Sequence, residues 1–248
     1  MNPWGGAALA AGIALGAAAC SPSAPAPDTV RVFAAASLAA PFEELAAAFE
    51  RRHPGLRVEL HCAGSAQLAL QLREGARADV FASADVPNMD KVVGAGATCA
   101  APVTLVTNRL AVVVPVGNPK GIRSLADLAR GDLAVALCGP EVPAGRYARE
   151  ALASAGVEVR SRSDEGNVRA LVAKVQLGEL DACIAFATDA RARGVEGIAL
   201  PPQHDVTATY PVAVLRSGTN EAGGRGFVAF AQGDEGRAVL VRHGFGVP

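Results

Sequence analysis

The stretch VRVFAAASLAAPFEELAAAF, running from Val30 to Phe49, decides how the whole chain is read. Val30-Arg-Val-Phe33 reads as a short buried strand. It runs through Ala34-Ala-Ala-Ser37 into a helix that carries Phe42, Leu45, Ala46 and Phe49 on one face at 3.6-residue spacing. Pro41 falls in the first turn of that helix, where a missing N–H costs least. His53-Pro-Gly55 stops it. The rhythm then repeats. Residues 56–60 form a strand, Cys62-Ala-Gly-Ser65 a turn, and Leu68, Ala69 and Leu72 mark a helix that ends at Gly75, before a third strand over 79–82. Such a βαβαβ order gives a parallel sheet covered by helices.

Beyond it, an apolar strand over 110–116 ends at the turn Gly117-Asn-Pro119, and the alternation starts afresh. The pattern predicts strands over 133–137, 157–160 and 182–187, with helices over 145–155 and 168–177. This restart predicts a second α/β lobe. An isolated strand over 210–215, a helix over 223–230 and a segment around Leu240 complete the chain. If the two long strands cross between lobes, the first lobe is discontinuous, 30–111 plus 211–248, and the second is 112–210. The expected fold class is α/β, with two parallel-type sheets.

Composition narrows the function. Of 248 residues, half are apolar and 19% charged, an ordinary globular balance. The formal net charge of -1 gives no electrostatic footprint for nucleic acid or an anionic membrane surface. One Trp and two Tyr argue against stacking platforms for bases or sugars. Ala7 to Cys20 is an uncharged run of small and apolar residues that fits the h-region of a secretory signal over 1–20. It ends in Gly16-Ala-Ala-Ala-Cys20, which resembles a lipoprotein processing site with Cys20 as the acylated residue, and a Pro/Ala/Ser tether over 21–29 follows. Cys62, Cys99, Cys138 and Cys183 show no zinc spacing; buried small residues and disulfides are both open readings.

In open α/β sheets, ligands bind outside the carboxyl ends of the strands, where helix N-termini point. Four strand-to-helix junctions here are small or Gly-containing: Ala35-Ala-Ser37, Ala63-Gly-Ser65, Val142-Pro-Ala-Gly145 and Glu165-Gly-Asn-Val168. None has Lys or Arg at its opening, although Arg146 and Arg169 follow closely. Neutral donors and helix dipoles of this kind suit a dehydrated anion. Taken singly, Ser37 and Ser65 also read as ordinary N-caps.

Several segments carry a family resemblance. Val32-Phe-Ala-Ala-Ala-Ser-Leu38, Gly75-Ala-Arg-Ala-Asp-Val-Phe-Ala-Ser-Ala-Asp85, Val142-Pro-Ala-Gly145 with Tyr147-Ala148, and Tyr210-Pro-Val-Ala-Val214 resemble the periplasmic molybdate/tungstate-binding proteins. The resemblance implies a type II periplasmic-binding fold, two lobes joined by crossing strands that act as a hinge. It implies a monomer outside the cytoplasm that serves an ABC permease and its ATPase, with no cofactor. Its ligand would be molybdate or tungstate, so that molybdenum enters only inside the bound anion. The family holds that anion with two serines, two backbone amides and a tyrosine hydroxyl. Carried over by motif, these are Ser37, Ser65, and the amides of Ala144 and Val168. The fifth position departs, because Ile184-Ala-Phe186-Ala-Thr-Asp189 puts Phe186 where the hydroxyl belongs. Gly64 and Ala66 also flank Ser65 where the family often carries hydroxyls.

The residues leave rival readings open. One is a binding protein for sulfate, a phosphonate or a small organic acid. Another is an enzyme on the same fold, which would need a nucleophile beside a base. Cys62 and Cys138 lie near junctions, but His53, His61, His204 and His243 do not. Asp79, Asp85 and Asp90 read as caps or an inter-lobe hydrogen bond rather than a metal site.

Overall fold

The structure is a computed structural model that describes Met1 and residues 28–248. The expected signal segment, Cys20 and the tether up to Pro27 lie outside the described residues; Asp28 and Thr29, assigned to the tether, open the first strand instead.

The first lobe begins with β1 (Asp28–Ala35), α1 (Ala39–Arg52), β2 (Leu56–Ala63), α2 (Ser65–Arg73), β3 (Val80–Ala82), α3 (Val86–Gly94) and β4 (Val103–Asn108). The chain crosses at Arg109 into β5 (Leu110–Pro115), β6 (Val135–Cys138), α4 (Pro143–Ser154), β7 (Asp164–Glu165), α5 (Val168–Gln176), β8 (Ala182–Phe186) and β9 (Val195–Ala199). It returns through 200–207 to β10 (Ala208–Val214), α6 (Glu221–Gln232) and α7 (Asp234–Arg242). Two five-stranded sheets result, ordered β2-β1-β3-β10-β4 and β7-β6-β8-β5-β9.

Both sheets are mixed rather than parallel throughout. β1 pairs in parallel with β2 and β3, but β10 runs antiparallel to β3 and β4. β6 is parallel to β7 and β8, whereas β5 is antiparallel to β8 and β9. The antiparallel strands are the ones that flank the crossings, where the chain enters each sheet from the other lobe instead of from a covering helix. Leu110 and Ala111, expected on the first-lobe side, therefore pair with Phe186 and Ala185 in the second sheet. Tyr210, expected in the second, pairs with Val106 in the first.

Other departures have local causes. The strand expected over 157–160 has the alternation of one, and Val157 and Val159 do rest against the core. The chain meets β6 only from Ser161 and Arg162 onward, and strand pairing with β6 begins at Asp164. β4 and β9 went unread because their short polar-interrupted sequences become strands only through their partners β10 and β5. α3 had a readable start in Asp85, whose side chain caps Asn88 N–H at 3.1 Å, followed by Pro87 in the first turn.

The α1 pattern lands as its spacing demands. Phe42 and Phe49 are fully buried and pack edge-on against Phe227 of α6 at 5.8 and 5.5 Å. Each buried ring contributes about 1.5–3 kcal/mol. This anchoring holds α1, and with it the turn that carries Ser37, against the end of β1.

Candidate functional site

The carboxyl ends of β1, β2, β6 and β7 meet between the lobes, and four helix starts converge there. Ser37, Ser65, Ala144, Val168 and Phe186, drawn from both lobes, all line one small cavity.

Three of the junctions supply donors that their helices leave unused. In α2 the first main-chain bond runs from Leu68 N–H to Gly64 C=O at 3.0 Å. In α4 it runs from Arg146 N–H to Val142 C=O at 2.9 Å, and in α5 from Leu171 N–H to Asn167 C=O at 3.3 Å. The N–H groups of Ala144 and Val168 precede these bonds and belong to the free first turn. Asn167 caps α5 by accepting from Ala170 N–H at 3.0 Å, which aligns that turn with the cavity. Gly145 is required where it stands, since a Cβ there would lie 2.2 Å from Gly139 O. Only glycine lets α4 start so close to the end of β6.

The serines are held differently. Ser65 is 1% exposed, and its Oγ accepts Ala84 N–H at 3.0 Å, which leaves its own O–H to donate elsewhere. Ser37 Oγ lies 3.0 Å from the hydroxyl of Tyr210. Phe186, 1% exposed, closes the fifth side with its ring edge-on to Tyr210 at 5.5 Å and Tyr147 at 6.5 Å.

No charged side chain lines the cavity itself. Arg146, one of the two arginines that follow the junctions, pairs with Asp85 of the opposite lobe. Asp85 is wholly buried and also accepts from Ser83 Oγ at 3.2 Å and Asn88 Nδ2 at 2.9 Å. It thus serves as helix cap and inter-lobe tie together, as expected of this carboxylate. Asp79 binds Arg31 N–H and Asn220 N–H at 2.7 Å each, and Asp90 is exposed on α3. Arg169 lines an adjoining, larger groove with Asp189, Arg191, Arg242 and His243, which shares Ala36 and Ser37 with the cavity. There Asp189 accepts Phe186 N–H at 3.3 Å, and burial pushes its carboxyl up to about 7.

Among the described residues no nucleophile and base pair in the cavity; Ser154 Oγ and His204 Nδ1 meet at 3.0 Å outside it. Burial pushes the Cys138 thiol up to about 12 and raises Cys62 and Cys183, so none of the three is thiolate-prone. All four described cysteines are free. His53 bonds Phe49 O, His204 meets Ser154, His243 meets Glu44, and His61 stacks on Phe33, all outside the cavity. Among the described residues no group of three or more His, Cys, Asp or Glu is placed to hold a metal.

The sequence reading missed Tyr210, Asn108 and the contact of Gly64 with Gly166. A Cβ on Gly64 would sit 2.4 Å from Gly166 O, so the two lobes touch by backbone beside the cavity. No local pattern announces such pairs, which join residues far apart in the chain.

Two α/β lobes joined by crossing segments, with small-residue helix starts facing a cleft, define a two-lobed binding protein. The chain belongs to the bacterial extracellular solute-binding proteins, whose family model matches residues 30–246. It is 39% identical over 234 residues to the molybdate-binding protein ModA of Mycobacterium tuberculosis (strain ATCC 25618 / H37Rv), covering 93% of this chain and 90% of that one. Among solved structures it resembles the Azotobacter vinelandii periplasmic molybdate-binding protein, with TM-score 0.75 and 19% identity over 88% of this chain and 99% of that one. It also resembles the sulfate-binding protein SubI from Mycobacterium tuberculosis H37Rv, with TM-score 0.79 and 19% identity over 88% and 86%. At that identity the structures show the fold alone, and the fold serves more than one anion.

Proposed function

We propose that the protein captures molybdate or tungstate between its lobes, outside the cytoplasm, and delivers it to an ABC permease with its ATPase. The convergence of Ser37, Ser65, Ala144, Val168 and Phe186 on one small cavity carries this reading. Two hydroxyls and two first-turn N–H groups donate to a small anion without a competing positive charge, because Arg146 is consumed by Asp85. Donors of this type, fixed at helix starts, stabilise negative charge while the ligand gives up its water. No carboxylate lines the cavity to accept a proton from a protonated ligand, which favours a fully ionised dianion over hydrogen phosphate. The ModA relative supports molybdate over sulfate.

Binding rather than catalysis fits the family and the placement of the histidines. The ligand is the one non-protein group this reading requires. Among the described residues no helix is long and apolar enough to cross a membrane. Retention at the cell envelope would rest on acylation of Cys20, with the chain acting as a monomer. Calorimetric titration with molybdate, tungstate, sulfate and phosphate tests the ligand assignment.

A further inference from the structure

We infer that Tyr210 is a positioning residue that sets the direction of the Ser37 hydroxyl and so decides whether Ser37 donates to the ligand. The inference rests on the oxyanion reading of the cavity. Tyr210 comes from β10, 173 positions away from Ser37, and is fully buried. Its phenol does not line the cavity; it meets Ser37 Oγ at 3.0 Å from behind.

Which of the two oxygens donates follows from a third residue. Asn108 Nδ2 donates to the Tyr210 oxygen at 3.4 Å and to Thr188 Oγ1 at 2.9 Å. The amide cannot be turned round, because its Oδ1 accepts Arg109 N–H at 2.9 Å. Tyr210 therefore accepts a hydrogen bond from Asn108 and directs its own O–H at Ser37. Ser37, accepting from Tyr210, is left with its O–H for the cavity. The order of donation is Asn108 to Tyr210 to Ser37 to anion, and each donor in such a chain polarises the next.

The ring packing keeps the phenol in place. Phe186 and Phe245 each lie 5.5 Å from Tyr210, edge-on. Phe186 thus offers no hydroxyl of its own, yet it buttresses the phenol that orients Ser37. Asn108 closes β4 beside the crossing at Arg109, and Thr188 belongs to the opposite lobe, so the chain of donors starts at the hinge. A phenol buried only for packing would owe nothing to Ser37.

A double-mutant cycle read by molybdate calorimetry tests this. Tyr210→Phe keeps the ring and removes the hydroxyl; affinity is expected to fall about three- to ten-fold in the wild type. In a Ser37→Ala background the same change is expected to alter affinity less than two-fold. Asn108→Ala removes the donor that fixes the direction of the Tyr210 O–H without placing a charge near the anion. It is expected to weaken binding in the wild type and not in Ser37→Ala. An equal loss in both backgrounds, or no loss from either change, overturns the positioning role while leaving the site assignment standing. If Ser37→Ala itself leaves molybdate affinity unchanged, or the wild type does not bind molybdate, the oxyanion reading fails first and the inference with it.

Discussion

Arg146 on α4 reaches across the cleft to the wholly buried carboxylate of Asp85, and this ion pair ties the lobes together beside the cavity. Asp85 stays satisfied by Ser83 and Asn88 whether or not the lobes meet, since both are its near neighbours in the chain. Arg146, 31% exposed at its side chain, is the partner that parting the lobes would remove. The pair therefore acts on the closed arrangement more than on the fold of either lobe.

Arg146→Ala is accordingly expected to weaken oxyanion affinity by about 1–2 kcal/mol, roughly ten-fold, with a smaller change in ligand-free stability. Calorimetry and thermal melting measure the two effects on one variant. Equal affinity with a large loss of ligand-free stability would place the pair in the fold instead of in closure.

Gly64→Ala should be more severe for binding. Its backbone is ordinary, with φ -60, so the substitution carries no strain there and costs about 1 kcal/mol as a cap. The added methyl, however, would meet Gly166 O at 2.4 Å and prop the lobes apart. Affinity is expected to drop at least about a hundred-fold, a coupling of roughly 3 kcal/mol. Small-angle scattering should show a radius of gyration that no longer shrinks on adding saturating molybdate. Wild-type affinity in this variant would mean that closure does not need the contact.

Asp189 gives a pH signature. Its carboxyl is pushed up to about 7, chiefly by burial, and partly opposed by the hydrogen bond from Phe186 and the nearby Arg169. In the unfolded chain an aspartate titrates near 3.9, about three units lower. A raised acid contributes stability that is fully present below the unfolded value and lost as pH rises through the folded one. Stability should thus decline by about 2–4 kcal/mol from this group between pH 4 and 7, then level off. Asp189→Asn should flatten that part of the profile in denaturant melts. An unchanged profile would mean the group titrates normally.

Phe186→Tyr restores the hydroxyl expected at the fifth position. A hydrogen bond to an ionised acceptor is worth about 1.5–3 kcal/mol, part of which is returned in desolvating the new group. Molybdate affinity should rise roughly three- to thirty-fold with little change in ligand-free melting. A loss of both affinity and stability would show that the ring is clamped between Tyr147 and Tyr210 with no room for the oxygen.

The sequence disclosed the parts of this architecture that have local causes. Strand β1, helix α1 and the four small-residue junctions follow from periodicity and from the helix-start residues. The five residues inferred from motifs do share one cavity. What stayed hidden depends on partners far along the chain. Strand β4 exists because β10 returns beside it, and the 157–160 alternation failed as a strand because nothing pairs with it. The same holds within the site. Ser37 announces itself at a junction, but the phenol behind it comes from the far end of the fold, and the tie between Asp85 and Arg146 spans 61 positions.

The oxyanion assignment is tested most directly by isothermal titration of the purified chain with molybdate, tungstate, sulfate and phosphate under identical conditions. Molybdate and tungstate should bind with at least about a hundred-fold advantage over phosphate, and more tightly than sulfate, whose smaller shell leaves the donors short of contact. Phosphate binding as tight as molybdate, or no heat with any of the four, would contradict it.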